Sequence, residues 1–265
     1  YLERFPKNSR FTVDYIPCVD GRGVYYHIQD NHVLSRVNRM VMYNNNNFEK
    51  LLIQNKMLNS YFEMVYDIFK KTMYPNYDKG QKALFLFSLI ETCTRFRDFI
   101  ERKTREDGYK FKVVKYNGGD SFDAFIAADI AVSTPGKAGT AVDVPGLANM
   151  YITTAIDDRQ LNEQMAGRPR PLIQWNMNPR AWFFHCMEIK KHCSYLNSRL
   201  RSLEDKMLSF KIIDTPHVLR RTDDNASRFT ARAGAVSRNV PKKLSRVHIS
   251  GISGGRKRPP KPRRR

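Results

Sequence analysis

Lys82-Ala-Leu-Phe-Leu-Phe87 is the stretch that decides the fold. It is short and continuously apolar, the pattern of a strand buried on both faces of a parallel sheet. Downstream, Thr92 to Lys103 reads as a helix with Phe96 and Ile100 on one face. Phe111-Lys-Val-Val-Lys-Tyr116 reads as the next strand, followed by a Gly118-Gly119 turn and a short helix near Phe122 to Ala127. Asp129-Ile-Ala-Val-Ser-Thr134 and Met150-Tyr-Ile-Thr-Thr-Ala155 supply further strands, and Leu161 to Ala166 a further helix. Strands alternating with helices specify an α/β class with a parallel sheet. In such sheets the functional loops leave the carboxyl ends of the strands.

Upstream, Leu51, Leu58, Phe62, Val65 and Phe69 recur at helical spacing, so one amphipathic helix is expected over residues 48–73, capped by the Asn44 to Asn47 run. Residues 1–47 read as an irregular lead-in, with Val24 to Ile28 as an edge strand or hairpin. Beyond the α/β centre, Trp182, Cys186, Ile189, Cys193, Leu196, Leu200, Leu203 and Met207 fall at alternating steps of four and three. After the Asn178-Pro179 start signal, this heptad seam predicts a long helix. It would pack along the core or against a partner helix through the Trp182–Met207 seam.

Charge is concentrated at the end of the chain. From Leu219 to Arg265 there are fifteen Lys and Arg against two Asp, which leaves only +7 of the formal +20 for the other 218 residues. The tail is poor in large apolar residues and cannot bury enough surface to fold alone, so disorder is expected. Such a polycation attracts phosphate backbones by counterion release, whatever their sequence. Arg256, Lys257, Arg258, Arg263, Arg264 and Arg265 are its densest part. Cys18, Cys93, Cys186 and Cys193 form no CxxC pair, which fits reduced thiols inside a cell or a virus particle. The best apolar run, Ala83 to Ile90, is too short to cross a bilayer, so no membrane partner is expected. Tyr1 rather than Met at the first position suggests a processed or truncated product.

Two stretches carry chemistry. The strand ending at Thr134 runs into Ser133-Thr-Pro-Gly-Lys-Ala-Gly-Thr-Ala-Val-Asp-Val-Pro145, and Glu163-Gln-Met-Ala-Gly-Arg-Pro-Arg170 follows. The first resembles motif V of superfamily 2 helicases, a group that includes many phage and viral enzymes. Gln164, Gly167 and Arg168 resemble their motif VI, and Lys82 to Ser88 stands where they have motif IV. The resemblance covers about residues 80–172.

It implies the second RecA-like lobe of an ATP-dependent helicase or translocase, a parallel sheet flanked by helices. It also implies a first lobe, in the same precursor or a separate chain, that binds most of the ATP and Mg. Arg168 would face the γ-phosphate, Gln164 would help orient the site, and Asp143 would hold the ribose beside Gly139. Ser88, Gly118, Thr134 and Lys137 would lie on the DNA or RNA side. The family pattern ends in an arginine finger where this sequence has Pro171, with Arg170 one residue early. Proline adds no charge there, so either Arg170 serves or the finger is lost.

No other motif competes. Gly136-Lys137 lacks the Gly and Ser/Thr of a phosphate loop, standing with Ala131 and Ala138 instead, so this chain alone is expected not to hydrolyse ATP. His185-Cys186 and His192-Cys193 are seven residues apart, about 10 Å along a helix, too far for one zinc site. Asp157-Asp158 reads as helix N-terminal charge. No metal site is expected.

The expected organisation is therefore a lead-in at 1–79, a helicase lobe with its long helix at 80–210 and a flexible basic tail at 211–265. A non-catalytic nucleic-acid-binding or virion protein built on the same lobe is the competing reading.

Overall fold

The computed structural model describes residues 19–138 and 144–222. Seven strands form one sheet in the order β3-β4-β2-β5-β6-β1-β7, and every neighbouring pair is parallel. The strands are β1 (Val19–Ile28), β2 (Lys82–Leu86), β3 (Val113–Tyr116), β4 (Ile130–Ser133), β5 (Leu147–Ile152), β6 (Arg180–Cys186) and β7 (Met207–Leu219). The helices are α1 (Asn31–Asn38), α2 (Asn45–Gln54), α3 (Leu58–Met73), α4 (Ile90–Glu106), α5 (Phe122–Ile126), α6 (Pro135–Ala138), α7 (Arg159–Ala166) and α8 (Lys190–Ser202).

Period-two alternation sends each strand's residues into two cores. Phe85, Phe87, Ile130, Val132, Trp182 and Phe184 meet Phe48, Phe62, Phe69 and Phe96 from α2, α3 and α4. Leu84, Leu86, Ala131, Ala181 and Phe183 meet Phe125, Met165 and Leu203 on the other face. The expected α/β class with a parallel sheet between helices is what forms.

Four expectations change. The long heptad helix is not one element: Arg180–Cys186 is a strand, and only Lys190–Ser202 is helical. Ala181 to Cys186 is buried on both faces, Trp182 and Phe184 in one core and Ala181 and Phe183 in the other. A seven-residue aromatic run therefore gains more as an interior strand than as a one-sided helix. The seam residues happened to sample it every fourth position. In α8 Leu196 is buried, whereas Leu200 is only half-buried.

The second change concerns β1, which is not an edge strand. It lies between β6 and β7. A Cβ at Gly21 would stand 2.6 Å from both the Met207 Sδ and the Phe210 ring, so glycine lets those side chains lie directly on the strand. The third concerns residues 211–219, which belong to the edge strand β7 rather than to the tail. Pro216 is tolerated because β7 is outermost and its register on β1 shifts between Tyr25 and His27. Residues 48–73 also divide into α2 and α3, separated at Lys56, which takes a left-handed φ of 54°. The basic tail beyond residue 222, with Arg256, Lys257, Arg258, Arg263, Arg264 and Arg265, lies outside the described residues.

Candidate functional site

A wholly parallel sheet places all strand carboxyl ends on one edge. Ser88, Gly118, Thr134 and Lys137 leave the ends of β2, β3 and β4, which are neighbours, so the sequence candidates for nucleic acid come together there. Gly118 is exposed in a turn closed by the Asn117 N–H donating to Asp120 Oδ2 at 2.7 Å. Ser133 is buried and its hydroxyl donates to the Tyr116 carbonyl, tying β4 to β3 and leaving Thr134 as the first outward residue. Thr134's carbonyl accepts from the Lys137 and Ala138 N–H groups at 3.1 and 3.0 Å. Lys137 itself is exposed, with Nζ 4.9 Å from the Tyr116 ring centroid.

Ser88 is differently placed from its neighbours. Its N–H donates to Glu49 Oε1 at 2.6 Å, and the Leu89 N–H donates to Glu49 Oε2 at 2.8 Å. A carboxylate of the protein thus fills the amino end of α4, where helix N–H groups would otherwise receive a phosphate. Glu49 is 3% exposed, and burial pushes its carboxyl up to about 7 against the opposing pull of those two hydrogen bonds. The Ser88 hydroxyl is engaged with Asn46 Oδ1.

Residues 38–46, read from sequence as lead-in, cross this same edge. Asn38 clasps the backbone beyond β6: its Nδ2 donates to the Glu188 carbonyl at 2.9 Å and its Oδ1 accepts from the Lys190 N–H at 3.1 Å. Asn45 does the same beyond β5, with Nδ2 to the Ala155 carbonyl and the Ala155 N–H to Oδ1, both 2.9 Å. With Asn46 on Ser88, the segment steps over the exits of β6, β5 and β2 in sheet order. The four-Asn run was the available signal; only its capping role was read from it.

The arginine pair lies at the opposite edge. Beyond β5 the chain turns at Asp158, whose carboxylate caps α7 by accepting the Leu161 N–H at 2.8 Å. The α7 helix then returns to the strand starts, where the Arg170 N–H donates to the carbonyl of Leu147, the first residue of β5, at 2.8 Å. Gln164, Arg168 and Arg170 are all partly exposed there. The Arg170 guanidinium folds back on its own turn, donating from Nη1 to the Gly167 carbonyl at 2.5 Å and the Arg168 carbonyl at 3.2 Å. A cation on the last carbonyls of a helix is favourable. Gly139 and Asp143 lie outside the described residues; next to them, the Leu147 N–H donates to the Val144 carbonyl at 3.1 Å.

At the strand ends, against the exit of β5, sits Arg199 of α8, which sequence reading passed over. It is fully buried: Nε donates to Asn162 Oδ1 at 2.8 Å, Nη2 to the Thr154 carbonyl at 3.0 Å, and the guanidinium lies 4.7 Å from the Phe183 ring centroid. Burial pushes it down to about 9. It ties α8 to α7 and to the exit of β5.

The two His-Cys pairs are parts of the packing. The Cys186 N–H donates to His192 Nδ1 at 3.1 Å, and burial pushes His192 down to about 3, a neutral ring. Among the described residues no His, Cys, Asp and Glu group could hold a metal ion, and no helix is long and apolar enough to cross a membrane.

A seven-stranded parallel sheet of this kind, with helices on both faces, is a RecA-like α/β fold. The chain is similar to the fragment structure of a putative HsdR subunit of a type I restriction enzyme from Vibrio vulnificus YJ016, with a TM-score of 0.50 and 10% identity, over 76% of this chain and 37% of that one. Lower similarity is found to Mss116p DEAD-box helicase domain 2 bound to an RNA duplex (TM-score 0.48, 13% identity, 74% of this chain and 65% of that one). T4 UvsW follows, with a TM-score of 0.47 and 10% identity over 74% of this chain and 41% of that one. At these identities the likeness is one of fold, and the chain spans less than two thirds of each of these structures. No family model matches the chain, and no curated protein sequence matches it.

Proposed function

We propose that this chain is the second lobe of an ATP-driven nucleic-acid helicase or translocase. The observation that carries the reading is the division of the sheet into two edges. Ser88, Gly118, Thr134 and Lys137 gather at the strand ends, and Gln164, Arg168 and Arg170 at the strand starts. DNA or RNA lies across the first edge, held by the Thr134 hydroxyl, the backbone around Gly118 and Lys137, with the basic tail adding charge that is indifferent to sequence. The second edge faces the nucleotide. ATP and Mg, bound mainly by a first lobe in the same precursor or a separate chain, supply the phosphoryl group that is cleaved. Arg168 offers charge to that group, Gln164 orients the site and Asp143 with Gly139 meets the sugar. The chain alone supplies no phosphate loop and does not turn over ATP by itself. The free thiols of Cys93, Cys186 and Cys193 support a reducing compartment, inside a cell or a virus particle, as its place of action.

One observation favours a second reading, a non-catalytic nucleic-acid-binding protein on the same lobe. Pro171 stands in the finger position, and Arg170 caps its own turn. The two readings separate in the two-lobed assembly. Arg168→Ala should cut nucleic-acid-stimulated turnover by about 10³-fold, the effect of a lost finger, while leaving nucleic-acid affinity unchanged. Wild-type turnover in that variant, or no turnover in the wild-type assembly, would assign the lobe to the non-catalytic protein.

A further inference from the structure

The segment that crosses the strand ends carries the two most exposed large apolar side chains of those described outside the 3-10 turn at Ile173–Trp175. Val41 is 94% exposed and Met42 84%. They are not on a loose loop. Asn38 holds one side to the backbone beyond β6 and Asn45 holds the other beyond β5, each through two hydrogen bonds. Tyr43, next to the tip, is fixed by its hydroxyl 2.6 Å from His192 Nε2 and by an edge-on ring contact at 4.9 Å. Two apolar side chains are thus presented to solvent by a braced turn.

The surroundings say what would cover them. From Asn31 to Phe48 there is no acidic residue, while Arg36 and Arg39 lead into the tip and four consecutive asparagines follow Tyr43. Both arginines are exposed, and neither has a carboxylate partner among the described residues. Farther along the same edge Ile90 and Phe122, the first residues of α4 and α5, are also 56% and 48% exposed. An apolar tip beside two exposed cations suits a polyanion that also offers flat apolar surface, which is a nucleic-acid strand. A protein partner complementary to the arginines would have to be acidic and apolar at once.

We infer that Arg36–Asn46 is a nucleic-acid contact in which Val41 and Met42 wedge between neighbouring bases while Arg36 and Arg39 hold the flanking phosphates. The inference rests on the assignment of the strand-end edge to nucleic acid, and it adds a contact with the bases to an edge otherwise argued from phosphate binding.

The test uses the full chain with DNA and RNA oligonucleotides of one sequence, each carrying a single 2-aminopurine, whose emission rises when it is unstacked. Wild-type protein should raise the emission. Val41→Ser with Met42→Ser, both at exposed positions, should abolish the rise and weaken binding roughly tenfold, with the salt slope unchanged. Arg36→Ala with Arg39→Ala should reduce the salt slope by about 1.4, the share of two single-strand phosphates. The arms with DNA and RNA show which polymer is wedged. A rise retained by the serine variant would overturn this inference alone. Failure of wild-type protein to bind either oligonucleotide would overturn it together with the assignment of the edge. A serine variant altered only in its sedimentation would give the tip to a protein contact and overturn it as well.

Discussion

The two edges of the sheet are built differently. Backbone bonds close both: at the strand starts the Lys82 N–H donates to the Gly146 carbonyl, the Asp20 N–H to the Pro179 carbonyl and the Arg170 N–H to the Leu147 carbonyl, and at the strand ends the Phe87 N–H donates to the Ser133 carbonyl and the Met187 N–H to the Tyr26 carbonyl. The strand ends are in addition tied by side chains to α2, α8 and the 38–46 segment, Glu49 to Ser88 and Leu89, Arg199 to Thr154, Asn45 to Ala155 and Asn38 to Glu188. Backbone closure tolerates almost any side chain. Side-chain closure commits particular residues, and a single substitution can undo it.

Removing Arg199 should have the largest effect, because it is the buried tie between the β5 exit, α7 and α8. Arg199→Ala leaves Asn162 and the Thr154 carbonyl without their donor and opens a void, at a cost of about 3–5 kcal/mol. A denaturation midpoint close to wild type would mean that the strand-end edge does not depend on its side-chain ties.

Glu49 sharpens the same contrast through pH. Its carboxyl is raised from 4.5 to about 7 in the folded protein, so between those values the folded state binds more protons than the unfolded one. Stability should therefore be greatest below about pH 4.5 as far as this group is concerned and fall as pH rises towards 7, by up to about 3 kcal/mol. Glu49→Gln should be flat across that window in urea titrations. A wild-type profile equally flat would show that the carboxylate is comfortable in its charged form.

The contrast between the edges also explains what could be read in advance. The runs at 82–86 and 130–133 were legible because burial on both faces leaves an unbroken apolar signature in a few residues. Ser88 and Thr134 follow directly on these two runs, which is why their places at strand ends were legible. The strap at 38–46 was not, because an asparagine clasping a distant carbonyl looks in sequence like any turn asparagine. Nor was the first half of β1, where Gly21 and Gly23 interrupt the strand pattern for a reason that lies in Met207 and Phe210. The Trp182–Met207 heptad was legible and misleading, as a buried strand followed by a helix can match a/d spacing across the join.

Lys137→Ala should produce a smaller effect. Lys137 is exposed, with its ammonium over the Tyr116 ring, so stability should stay within about 0.5 kcal/mol. The salt slope of nucleic-acid binding should drop by about one phosphate's share. An unchanged slope would remove Lys137 from the interface.

Amide hydrogen exchange of the full chain, with and without a saturating oligonucleotide, tests the two-edge account most directly. The account predicts slowed exchange at residues 38–46, 117–121 and 134–138, with residues 167–172 unchanged. Slowing at 167–172, with the strand-end segments unaffected, would contradict it.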